Sequence, residues 1–143
     1  MTEERDIREM AAAVETAKAQ LEGLIRQREL IQMAIEEHVR ARETIKNLRG
    51  STPGDDVLIP IGADSYVHAR VSEKTDAVVG VGSGVSIQRV SEDAEKVLQS
   101  RVDDLSQAFQ KVSERAAQLE AFAQEMTAKL QEQYEALQHG EGV

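Results

Sequence analysis

Two long stretches of this chain place apolar residues three and four apart, and the two series mirror one another. The first runs from Ile7 through Met10, Val14, Ala17, Leu21, Leu24, Arg28, Ile31, Ile35, His38 and Arg42 to Ile45. The second runs from Leu98 through Val102, Leu105, Phe109, Val112, Ala116, Leu119, Ala123, Met126, Leu130 and Gln133 to Leu137. A seven-residue repeat of this kind keeps a narrow apolar seam facing a partner helix and imposes a left-handed supercoil. Laid antiparallel, Ile45 meets Leu98, Arg42 meets Val102, Ile35 meets Phe109, Leu24 meets Leu119 and Ile7 meets Leu137, with no slip of register. Large residues fall opposite small ones: Leu21 faces Ala123, Met126 faces Ala17 and Arg28 faces Ala116. Knobs-into-holes packing requires that complementarity. Matched lengths and an unbroken register favour pairing within one chain over pairing of each helix with another molecule. The pattern predicts one antiparallel coiled-coil hairpin with arms of roughly 60–70 Å at 1.5 Å per residue. The polar seam members Arg28, His38, Arg42 and Gln133 read as register-setting side chains that snorkel at the seam edge.

Composition agrees with arms rather than a compact body. Aromatic residues are only 3% of the chain, with no Trp, so any globular core would be thin. The net charge of −9 is spread along both arms, and no basic stripe is present to hold a phosphate backbone, which argues against nucleic acid as a partner. Without cysteine there is neither a disulfide framework nor a thiolate metal site. The opening MTEERDIREM lacks the apolar core of a signal peptide, and no stretch approaches the roughly 20 apolar residues of a membrane span. A cytoplasmic protein with no membrane contact is expected.

The arms are separated by a different kind of sequence. The predicted organisation is an N-terminal helix over 1–49, a turn-rich linker over 50–56 (GSTPGDD), two β-hairpins over 57–90, a second helix over 91–138 and a flexible tail over 139–143. The first hairpin joins Val57–Ile61 to Tyr66–Val71 around Gly62-Ala63-Asp64, and the second joins Ala77–Val81 to Val85–Arg89 around Gly82-Ser83-Gly84. Residues 72–76 (SEKTD) form a polar link. Ser91 offers an N-cap, and Glu92 and Asp93 set negative charge against the positive end of the new helix.

The second strand alternates, with Val67, Ala69 and Val71 on one side and Tyr66, His68 and Arg70 on the other, while the first and third are apolar on both faces. Each arm already uses its seam on the other arm, so the chain has nothing left to cover these strands. Burying a Val or Ile is worth roughly 1.5–3 kcal/mol, and free strand edges invite another chain. Oligomerisation into a shared barrel follows, through Val57, Ile59, Ile61, Val67, Val71, Val79, Val81, Val85 and Ile87. Pro60, which has no N–H to donate, belongs at a non-hydrogen-bonded position.

An enzyme finds little support. Gly80-Val81-Gly82-Ser83-Gly84 echoes a phosphate loop, but no Lys follows, and the glycines lead into a strand rather than a helix. They read as a turn with close strand packing. His38, His68 and His139 are scattered and form no metal-ligand spacing, and solvated helix faces account for the many carboxylates. No catalytic residue, metal or cofactor is expected.

The layout of long helix, two hairpins and long helix, with VLIPIGADSYVHARV and VGVGSGVSIQRVSEDA at its centre, resembles the α-class subunits of the prefoldin family. The central segments carry the resemblance: the apolar–Pro–apolar–Gly strand, the G-x-G turn and the strand-to-helix exit. The presence of two hairpins points to the α class, since β-class subunits carry one. The resemblance implies an α+β fold in which hairpins from two α and four β subunits build a β-barrel body bearing six coiled-coil arms. It also implies an ATP-independent co-chaperone that holds unfolded proteins between the arm tips and passes them to a group II chaperonin. No fixed motif marks the tips, so client contacts are our reading of the residues: Ile7, Met10, Val14, Met126, Leu130, Tyr134 and Leu137, with Gln133 and Met1 beside them. Frayed seam ends and pliable methionines suit binding without sequence preference. A structural or adaptor coiled coil that assembles in the same way but holds no client is the alternative.

Overall fold

The computed structural model describes residues 2–73 and 76–141. Met1, the link residues Lys74 and Thr75, and the last two residues of the expected tail lie outside the described residues. The order is helix α1 (Thr2–Arg49), strands β1 (Asp56–Gly62), β2 (Ser65–Arg70), β3 (Asp76–Gly82) and β4 (Val85–Val90), and helix α2 (Ser91–Glu141). Both helices are rich in Ala, Glu, Gln, Leu and Arg and contain no Pro, which is a strong helical composition. Charge placement reinforces them: Glu3 and Glu4 open α1 and Lys46 and Arg49 close it, while Glu92 and Asp93 open α2.

The chain divides into two compact units, each holding a stretch of α1 and a stretch of α2. The first comprises residues 1–33 and 106–143. Its buried side chains are Ile7, Val14, Ala17, Ala116 and Ala123, all members of the two apolar series. Met10, Leu21, Leu24, Arg28, Ile31, Phe109, Val112, Leu119, Met126, Leu130 and Leu137 are half-buried. Met10 shares a cleft with Met126, and Leu24 shares one with Val112 and Arg115, so α1 numbers rise as α2 numbers fall: the pairing is antiparallel. Gln133 is the one series member of this unit left exposed.

The second unit spans residues 34–105 and holds all four strands. Val79 of β3 is buried together with Ala94 and Leu98 of α2, and Ile45, Ala77 and Val97 pack around them. Here the reading that nothing in the chain covers the hairpins is corrected. The helix stretches in this unit cover the inner face of β3, because small Ala94 opens a hole that Val79 fills. Antiparallel pairing is visible here too: Arg42 donates to the Gln99 side chain, and Arg49 pairs with Glu95. His38 turns inward on its own helix, its Nδ1–H donating to the Ala34 carbonyl at 2.7 Å.

The two hairpins form separate two-stranded sheets, β1 with β2 and β3 with β4. They are copies of one plan offset by 20 residues: Asp56 pairs with Arg70 and Asp76 with Val90, Ile59 with Val67 and Val79 with Ile87. Each shifts register at the same point, between Pro60 and Gly62 and between Gly80 and Gly82, leaving Ile61 and Val81 as the extra residues of a bulge. Each loop is two residues long with positive φ at both, 52° and 55° at Ala63 and Asp64, 53° and 74° at Ser83 and Gly84. This is the requirement of a type I′ hairpin turn, whose twist matches that of the strands. Gly62 and Gly82, at φ of 98° and 103°, supply the bulge conformation that a side chain would oppose. The glycine cluster is therefore a turn. The Val71 N–H donates to the Asp55 carbonyl at 2.9 Å, and alternation from that bond places Pro60 at a non-hydrogen-bonded position.

Candidate functional sites on the hairpins and the helix ends

Two surfaces stand out, one in each unit. On the hairpins, the bulge and the alternation of strand faces turn large apolar side chains to solvent: Leu58, Ile59, Ile61, Tyr66, Val67, Val78, Val81, Val85 and Val90 are all exposed, Val78 at 70%. A few scattered apolar residues on a surface mean little, but the neighbours Leu58 and Ile59 point to opposite faces and are both exposed, so the first hairpin offers apolar side chains on either side, and such a load marks interaction surface. Both hairpins have unpaired edges as well. Between them and the adjoining helix stretches lies a cleft of about 410 Å³, lined by Ile45, Leu48, Val57, Ile59, Val71 and Ala77 among others.

The nine residues read from sequence as assembly contacts divide by environment. Ile59, Ile61, Val67, Val81 and Val85 are exposed, while Val57, Val71 and Ile87 are half-buried. Val79 belongs to the chain's own core. Leu58, Tyr66, Val78 and Val90 are equally available and were missed. The 20-residue offset was the signal that could have found two of them, since Leu58 and Val78 hold the same place in the two hairpins.

In the other unit, the stretches of α1 and α2 nearest the chain ends bring the second set of residues together. Ile7 and Val14 are buried, Met10, Met126, Leu130 and Leu137 half-buried, and Tyr134 is 54% exposed. A shallow cleft of about 350 Å³ opens between Asp6, Glu9 and Met10 of α1 and Met126 and Gln133 of α2. Sequence reasoning counted Gln133 as a seam member. The structure puts it on the cleft wall in solvent, as expected of a polar side chain with a free route to water.

Among the described residues no group of His, Asp and Glu could hold a metal ion, and no buried side-chain polar atom lacks a partner. His68 and His139 are exposed, and His38 is held by its helix. Among the described residues no helix is long and apolar enough to cross a membrane.

Comparison with known proteins agrees with this geometry. The family model "Prefoldin subunit" matches residues 17–136. The prefoldin subunit alpha of Methanothrix thermoacetophila is 35% identical over 110 residues, covering 77% of this chain and 72% of its own. That of Pyrococcus horikoshii is 30% identical over 129 residues, covering 90% and 87%. Among solved structures, a chain of the filamentous PFD from Methanocaldococcus jannaschii superposes with a TM-score of 0.69 at 26% identity, covering 83% of this chain and 98% of its own. The chain therefore belongs to the prefoldin family of chaperone subunits, and the relatives it matches there are α subunits.

Proposed function

We propose that this chain is the α subunit of an ATP-independent holdase, acting in the cytoplasm. Two copies and four β-class subunits join through their hairpins, and the coiled-coil ends capture unfolded proteins for delivery to a group II chaperonin. The observation that carries the reading is the pair of apolar surfaces, one in each unit. The hairpins leave large apolar side chains in solvent for further chains to cover, and in the other unit the seam layers nearest the chain ends are half-open. Such a seam offers Met10, Met126, Leu130, Tyr134 and Leu137 to apolar stretches of an unfolded client. Each contact is weak, and several arms acting together raise avidity through effective concentration. A holdase needs no nucleotide, since binding unfolded chains suffices to hold them back from association.

The test removes residues 1–14 and 130–143 together. The shortened chain should assemble as before, by light scattering, and should lose its suppression of aggregation of a chemically denatured client. Undiminished protection would refute the assignment of the helix ends. A second reading, a structural oligomer with no client, draws on the filamentous state of the Methanocaldococcus jannaschii neighbour. Polymers of the purified chain that give no protection to any denatured client would favour it.

A further inference from the structure

The cleft at the chain-terminal end is not simply apolar. Its two methionines, Met10 and Met126, lie between Asp6 and Glu9 on one wall and Gln133 on the other. Around it, residues 3–14 and 125–140 carry seven carboxylates against three Lys and Arg. Two of those three cations are already engaged, Arg5 with Glu9 and Lys129 with Glu125, each at 3.4 Å. Both pairs are largely exposed, with side-chain accessibilities of 80% and 67% for Arg5 and Glu9, so water and salt compete for them and Glu9 stays available to another cation. Asp6 has no ion-pair partner among the described residues.

We propose that this cleft selects unfolded segments in which Lys or Arg flanks an apolar side chain. The apolar side chain enters between Met10 and Met126, whose flexible thioethers adapt to its shape, and the cation lies against Asp6 and Glu9. The long stem of Lys or Arg covers the methionine edge while its head stays wet. Charge complementarity carries the choice of occupant, because an acidic segment would meet an uncompensated carboxylate surface. The inference rests on the holdase reading and adds a client class to it.

Two fluorescently labelled synthetic peptides test it, identical in their Leu, Val and Phe content, one flanked by Lys and the other by Glu. Binding to the assembled full-length protein is read by anisotropy. The Lys-flanked peptide should bind roughly three- to tenfold more tightly at low salt, the range that one or two exposed ion pairs supply. That preference should vanish near ~1 M salt, where the screening length falls to about 3 Å. The double variant Asp6→Asn, Glu9→Gln should bind both peptides alike. Equal binding by the unaltered protein, or a preference that survives the double variant, overturns the proposal and leaves the holdase reading intact. If neither peptide binds and no denatured client is protected, both fail together.

Discussion

Val79, at the centre of the third strand, packs against Ala94, which opens the second helix and has no solvent-exposed surface. Its sequence neighbour Val78 points the other way and is 70% exposed. One residue along a strand thus separates the chain's own core from its solvent-facing surface. Val79→Asp should bury an unpaired carboxylate and detach the hairpin from the helices, lowering stability by more than about 3 kcal/mol. Val78→Asp should leave the circular dichroism melt nearly unchanged and shift the sizing profile to smaller species. Equal effects of the two substitutions on melting would contradict the division.

Gly23 lies inside α1 with nothing within 4 Å of where a Cβ would stand, and its backbone is helical. Gly23→Ala should therefore stabilise the helix by about 1 kcal/mol, mostly through the unfolded chain. A thermal melt should show a rise of roughly 2–4 °C for a chain of this size. A fall would mean that the notch beside Leu24 and Val112 is needed for packing.

Arg42 occupies a seam position and donates to Gln99 across the helix pair. A polar residue at such a position fixes register at a cost in stability. Arg42→Leu should raise the melting temperature while broadening the distribution of assemblies measured by light scattering. A lower melting temperature with a single unchanged assembly would show that the polar contact is itself a net stabiliser.

Ala63 holds φ at 52°, a conformation that costs an L-residue roughly 1–2 kcal/mol, whereas Gly62 beside it holds 98° at no such cost. Ala63→Gly should slow hydrogen exchange in the first hairpin, and Gly62→Val should speed it. The same sign for both would argue against the turn geometry.

Much of this was legible before any coordinates. The antiparallel seam emerges from residues whose spacing alone puts them on one helix stripe, and its members come out buried or half-buried, with Gln133 the exception. The turns declared themselves through Gly62 and through Gly82-Ser83-Gly84, because few residues tolerate positive φ. At the helix ends, the pattern picked out Met10 and Met126 but not the carboxylates beside them. Asp6 and Glu9 are ordinary solvated residues of a helix face until the partner helix brings Met126 and Gln133 against them.

What the sequence by itself determined, then, is periodicity: two helical arms in antiparallel register, two strand pairs between them, and membership of a family built on that plan. Those features are encoded in local spacing, which repeats every few residues and needs no distant partner to be read. Which face of each hairpin the chain keeps for itself was decided only by tertiary structure. A strand that is apolar on both sides gives no sign of its inner face; only the packing of β3 on the helices, where Val79 lies with Ala94 and Leu98 and Val78 is left in solvent, decides it.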